Sequence, residues 1–180
     1  MLFRKLLFIC FSIGFFLING NSQEVKTNID IANLKKQAMD MAASFIKAEY
    51  KTFVKFTYPR VVEMMGGEEK MISYLQKEIQ QMNNDGYTFK SIDVEITTKL
   101  VRAGKEIHTL VSQSIIMTAP NGTLTANSYL LAISQNGGRD WYFVDTAPFD
   151  DLKKLTAVFP HYNFELKIPE KQLPIFNEVK

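Results

Sequence analysis

The fold is decided by residues 87–146, which read YTFKSIDVEITTKLVRAGKEIHTLVSQSIIMTAPNGTLTANSYLLAISQNGGRDWYFVDT. From Ile92 to Leu100 apolar and polar residues alternate, which is the period of a strand with one buried face. Turn sequences separate the further runs Ile107 to Thr118, Leu124 to Ser134 and Asp140 to Thr146. Short connections between successive strands require antiparallel neighbours, so this stretch predicts a four-stranded antiparallel meander.

Before the meander, apolar residues are three or four positions apart, which is the period of an α-helix. They are Ile31, Leu34, Ala38, Met41, Phe45 and Ala48. Asp30 is the predicted N-cap, and the pattern continues through Phe53 as far as Pro59. A short helix is predicted over 60–65. A longer helix is predicted from Glu68, ending at Asn83-Asn84-Asp85-Gly86.

Helices followed by an antiparallel sheet predict an α+β fold, in which the N-terminal helices pack on the one large apolar face of the meander. Residues 149–158 predict a short C-terminal helix. Residues 159–180 predict an extended C-terminal tail. Phe164, Leu166 and Ile168 alternate in it as in an extended segment, and Pro169 and Pro174 indicate that its end is loose. No linker or repeat interrupts residues 30–158, so we expect a single domain there, preceded by a polar lead-in at 23–29.

The first 22 residues predict a secretory signal. Arg4 and Lys5 precede an apolar run of 13 residues from Leu6 to Ile18, and the small residues Gly20 and Ser22 suit cleavage before Gln23. Cleavage after Gly20 is an alternative. A helix that spans a bilayer needs roughly 20 apolar residues, so a permanent anchor is the less favoured interpretation. We therefore expect export, to the periplasm or out of the cell, with no membrane association after cleavage.

Removal of the signal changes which chemistry is open to the chain. The only cysteine, Cys10, is lost, so the mature chain has no disulfide and no thiolate. Nineteen basic residues then face 19 acidic ones, and such a neutral chain lacks the basic surface that nucleic acids require. The two histidines, His108 and His161, have no metal-site spacing, and no nucleotide-binding loop occurs. We expect no metal and no cofactor.

Two local stretches carry a resemblance to a known family. They are Tyr58 to Gly67 (YPRVVEMMGG) and Trp141 to Asp145 (WYFVD). The predicted order of elements, helices followed by a meander, is the third basis of the resemblance. Over about Leu34 to Thr146 the chain resembles the nuclear transport factor 2-like superfamily. The resemblance implies a curved, cone-like sheet around a long helix, with a pocket at its open end. It also implies homodimerisation as a candidate assembly, and the family includes isomerases, dehydratases, hydrolases and binding proteins.

Aromatic residues are the candidates for lining such a pocket, because they present polar tips on apolar bodies. We expect an apolar ligand pocket near Tyr50, Phe53, Tyr58, Trp141 and Phe143. Plain core packing is the alternative for aromatic residues at these spacings.

If the domain is an enzyme, the candidate catalytic residues are Asp145, His108 and Tyr58. Asp145 shares a strand face with aromatic residues, which would tune a catalytic carboxylate, although capping of the turn before Pro148 also explains it. His108 is expected to be a half-exposed strand histidine. Because the sequence shows no second titratable group paired with Asp145, it favours a non-catalytic module that binds a small apolar molecule or another exported protein. A cofactor-free acid–base enzyme is the alternative.

Overall fold

A computed structural model describes residues 29–96, 99–149 and 151–178. The predicted signal at 1–22 and nearly all of the lead-in lie outside these residues. Within them, the helices and strands follow in the order α1 Ile31–Ile46, α2 Tyr50–Phe56, α3 Pro59–Met64, α4 Glu68–Asn84, β1 Thr88–Ile96, β2 Val101–Ala103, β3 Glu106–Ala119, β4 Gly122–Ser134, β5 Tyr142–Asp145, α5 Leu152–Val158 and β6 Ile175–Glu178. No helix in the described ranges is long and apolar enough to cross a membrane.

The strands form one open sheet in which every strand pair is antiparallel. The main order is β1-β3-β4-β5, so the predicted meander is present. Among the described residues the sheet has six strands rather than the four predicted. β1, which ends at Ile96, and β2, which begins at Val101, pair with successive parts of the same edge of β3. β6 is added from the C-terminal segment, beside the start of β4.

The ends of the helices follow from local hydrogen bonding. Asp30 caps α1 as predicted, since its Oδ1 accepts from the backbone N–H of Asn33 at 3.0 Å. α1 ends at Ile46, whereas the apolar pattern predicted that it would continue. Ala48 takes a left-handed backbone conformation, with φ 57°, and its N–H bonds the carbonyl of Phe45. α4 covers the predicted range and ends before Gly86, as its sequence indicates.

The core lies on both faces of the sheet. The helix face carries a cluster built from α1, β1, β3, β4 and β5: Leu34, Ala38, Met41, Ala42, Val94, Ile107, Val111, Leu130, Ala132, Trp141 and Phe143. The opposite face, here called the outer face, carries a second cluster: Tyr58, Val101, Leu110, Leu131, Ile133, Val144, Leu155, Val158, Phe159, Tyr162 and Leu166. The sheet therefore has two large apolar faces, where the sequence analysis predicted one.

The C-terminal segment, residues 159–178, covers the outer face. Phe159, Tyr162 and Leu166 are buried against it, and β6 pairs with β4 further along. The sequence analysis predicted an extended tail, loose around Pro169 and Pro174, and did not predict that it packs on the sheet. Strand alternation turns Leu131 and Ile133 away from the helices, and these apolar side chains need a cover.

Candidate functional site

A cavity of about 560 Å³ lies between the outer face and the C-terminal segment. We call it the outer-face cavity. Its walls come from β4, from the loop after β5, from α5 and from the C-terminal segment. The lining residues are Asn127, Ser128, Tyr129, Thr146, Ala147, Phe149, Leu155, Tyr162, Phe164, Leu166, Lys167, Ile168, Pro169, Glu170 and Lys171.

The walls of the outer-face cavity are held in place by hydrogen bonds. Thr146 bonds the carbonyl of Tyr129 through both its backbone N–H, at 3.0 Å, and its hydroxyl, at 2.8 Å. The Tyr162 hydroxyl donates to the carbonyl of Leu166 and closes the turn that carries both side chains. Burial raises the pKa of Tyr162 to about 12, so this hydroxyl is neutral at physiological pH. At Thr146 and Tyr162 the cavity wall is thus neutral and held by hydrogen bonds to the backbone.

The five residues expected to line a pocket are packed as core. Trp141 is 1% exposed, and its indole N–H donates to the carbonyl of Gly138 at 3.0 Å. Phe143 is buried and Phe53 is partly buried in the helix-face cluster, and Tyr50 is also buried. Tyr58 belongs to the opposite, outer-face cluster. None of the five lines the outer-face cavity.

A second feature of the outer face is a polar cluster centred on Glu106. The Tyr58 hydroxyl donates to Glu106 Oε1 at 2.8 Å, and the Gln135 amide donates to the same oxygen at 2.8 Å. His108 Nε2 lies 3.0 Å from the other oxygen, Glu106 Oε2. We call these four side chains the Glu106 cluster. It joins the segment before α3, strand β3 and the end of β4.

Burial and these hydrogen bonds set the charges in the Glu106 cluster. Burial opposes ionisation of Glu106, but hydrogen bonds from Gln135, His108 and Tyr58 outweigh it and lower the pKa of the carboxyl group. Burial lowers the pKa of His108, against the opposing hydrogen bond and charge of Glu106. Burial, together with the Glu106 carboxylate, raises the pKa of Tyr58 to about 12. The cluster at neutral pH is therefore one carboxylate with three neutral donors.

Aromatic rings cover the histidine of this cluster. His108 is 1% exposed, which corrects the expectation of a half-exposed residue. The Phe159 and Tyr162 rings lie 6.5 and 6.2 Å from its ring. Because Nε2 donates to Glu106, Nδ1 is the unprotonated nitrogen, and it finds no hydrogen-bond partner among the described residues.

The three candidate catalytic residues do not form one group. The structure brings Tyr58 and His108 together, through Glu106, which the sequence analysis missed. Asp145 lies on the other face of the sheet, is exposed, and accepts from the backbone N–H of Ala147 at 2.8 Å. That contact is the turn-capping interaction weighed as the alternative role for Asp145. The missed signal was Glu106-x-His108, since strand residues two apart share a face.

An open cleft beside α4 is a weaker candidate site. It measures about 530 Å³ and is lined by Lys51, Gly66, Gly67, Glu68, Glu69 and Ile72. The two glutamates at the start of α4 cancel the attraction that a helix N-terminus has for anions. In the described part of the chain, no three His, Cys, Asp or Glu side chains are grouped so that they could hold a metal ion.

No protein-family model matches the chain, no curated protein sequence is significantly similar to it, and no solved structure matches it.

Proposed function

We propose that this chain is an exported, non-catalytic module that binds a small apolar molecule in the outer-face cavity. The observation that carries the proposal is the cavity itself. Its volume of about 560 Å³ falls within the roughly 300 to 1,000 Å³ of small-molecule sites. Phe149, Leu155, Phe164, Leu166 and Ile168 supply a mostly apolar wall, which is the common composition of such sites.

The state of the titratable groups supports binding rather than catalysis. A general acid or base must reach the substrate proton, directly or through one water. Both oxygens of Glu106 already accept hydrogen bonds from within the protein, and His108 lies beneath two aromatic rings. Asp145 is committed to its turn and has no titratable partner within hydrogen-bond distance among the described residues.

Two wider proposals accompany this function. The charged start, apolar run and small residues of 1–22 support export with cleavage near Ser22 and Gln23. The order of helices followed by an antiparallel meander supports a cone-like, nuclear transport factor 2-like fold. The proposed ligand site lies on the face of the sheet away from α1, because Leu155 and Leu166 belong to the outer-face cluster.

Titration of purified protein with the apolar fluorescent probe N-phenyl-1-naphthylamine tests the proposal. We expect a saturable rise in fluorescence. The variant Ala147→Trp places a bulky ring on an exposed residue of the cavity wall, and we expect it to weaken probe binding at least tenfold without loss of thermal stability. The matched control is Ala43→Trp, on the exposed side of α1, which should bind as wild type. Non-saturable fluorescence, or equal affinity for all three proteins, would contradict the proposal.

A further inference from the structure

The charged residues of the outer-face cavity all come from one short segment. Lys167, Glu170 and Lys171 are its three charged lining residues, and each is exposed. Neither lysine forms an ion pair with another described residue. The segment therefore presents two ammonium groups and one carboxylate beside an apolar space, with an excess of one positive charge.

Several neutral polar side chains of the lining already form hydrogen bonds within the protein. The Thr146 hydroxyl bonds the carbonyl of Tyr129, and the Tyr162 hydroxyl bonds that of Leu166. Ser128 accepts from Gln113 at 2.8 Å, and Asn127 donates to Gln172 at 3.4 Å. Lys167 and Lys171 carry the positively charged donors of this lining, so an anionic group on a ligand would be attracted to them rather than to these neutral side chains.

Lysine suits the boundary between an apolar wall and water. Its methylene stem lies along apolar surface while its ammonium group stays hydrated. An anion that meets this ammonium group at the rim keeps much of its own hydration, so the large cost of burying an ion pair is avoided. A ligand that matches both the apolar wall and the lysines at the rim has an apolar portion inside the cavity and an anionic portion at the rim.

We propose that the ligand is a single-chain amphiphile whose apolar tail occupies the outer-face cavity and whose anionic head group contacts Lys167 and Lys171. Carboxylate, sulfate and phosphate head groups share the chemistry that these lysines recognise. This inference rests on the proposed function, because it assumes that the cavity binds an apolar ligand. It adds the charge that the ligand carries and the residues that select it.

Three probes with the same twelve-carbon tail separate the contribution of the head group from that of the tail. Dodecanoate and dodecyltrimethylammonium are used below their micelle concentrations, and dodecanol below its solubility limit, to displace the naphthylamine probe. We expect dodecanoate to displace it at about tenfold lower concentration than dodecanol, since two exposed charge contacts contribute modestly. The cationic probe should be the weakest, and the advantage of dodecanoate should shrink as salt is raised from 50 to 500 mM, as screening requires.

A pair of double variants locates the effect. Lys167→Gln with Lys171→Gln should weaken dodecanoate about tenfold and leave dodecanol unchanged. The matched control is Lys77→Gln with Lys90→Gln, two exposed lysines outside the cavity, which should behave as wild type. Equal displacement by dodecanoate and dodecanol, in wild type and in the cavity variant, would overturn the head-group inference and leave the cavity proposal standing. Failure of all three probes would instead overturn the proposed function.

Discussion

Glu106 connects three parts of the chain that are far apart in sequence. Tyr58 reaches it from the segment before α3, His108 from two positions along β3, and Gln135 from the end of β4. The sequence could have indicated one of these contacts, because Glu106 and His108 share a strand face. It could not have indicated the other two contacts. They depend on how α3 packs against the sheet and on where the residue that follows β4 lies.

Loss of the tyrosine hydroxyl should measure the strength of this cluster. Tyr58→Phe keeps the ring packed against Phe159 but leaves Glu106 without one of its donors. We expect the free energy of unfolding in urea to fall by about 2 kcal/mol, the usual range for a hydrogen bond to a charged group. The control Tyr74→Phe removes a hydroxyl from a residue that is 51% exposed, and it should change stability little. Equal effects of the two substitutions would show that the hydrogen bond from Tyr58 to Glu106 does not stabilise the fold.

The buried histidine should make the protein less stable in acid. Burial lowers the pKa of His108 from its ordinary value of 6.5, so the unfolded chain takes up a proton at a higher pH than the folded one. Stability is therefore fully present above about pH 6.5 and falls as the pH drops below that value. The lowered pKa of Glu106 adds a further loss below its ordinary value of 4.5, as that carboxylate is protonated.

Urea unfolding at pH 7.5 and pH 5.5 tests this histidine effect. We expect the loss of stability between the two pH values to be smaller in His108→Gln than in wild type. His161→Gln, which changes the exposed histidine, should keep the wild-type loss. If all three proteins lose the same stability, His108 does not titrate as its burial requires.

At the scale of the element, three helices end in the same way, and the sequence signals only two of them. α3 ends at Gly66-Gly67 and α4 at Gly86, each with a left-handed glycine. α1 uses the same pair of closing bonds, from Ala48 N–H to Phe45 and from Glu49 N–H to Ser44. With alanine at the left-handed position, no glycine or proline interrupts the apolar period, and the predicted helix runs on.

Glycine at this position should stabilise the protein. Ala48 is exposed, so Ala48→Gly loses no packing while it relieves a conformation that costs an alanine about 1 kcal/mol. We expect the free energy of unfolding to rise by about 0.5 to 1 kcal/mol. The same substitution at Ala43, exposed within α1, should lower it by about 1 kcal/mol. A fall in stability with Ala48→Gly would contradict a left-handed backbone conformation at Ala48.

At the scale of the whole molecule, the C-terminal segment is the part that the sequence predicted least well. Alternation along β1 indicated a sheet with one apolar face, and two prolines indicated a loose tail. The continuous run Leu130 to Ile133 carries a different signal, since a strand that is apolar at every position is typically buried on both faces. The second face is covered because the C-terminal segment packs on strands that are distant in sequence. Local sequence patterns do not predict such long-range packing.

Two phenylalanines in this segment test whether it is part of the folded core. Phe159 is buried in the outer-face cluster, so Phe159→Ala should lower the free energy of unfolding by about 3 kcal/mol or more. Phe164, five residues later, is 53% exposed, and Phe164→Ala should cost less than about 1 kcal/mol. Similar small losses for both, measured by urea unfolding, would mean that the tail is loose after all.

Methyl resonances report where in the molecule a ligand binds. We would titrate methyl-labelled protein with dodecanoate and follow its methyl resonances. We expect shifts at Leu155, Leu166 and Ile168, which line the outer-face cavity, and none at Leu34 and Val111 in the helix-face core. Shifts centred on Leu34 and Val111, or an unchanged spectrum at saturating dodecanoate, would contradict binding in the outer-face cavity.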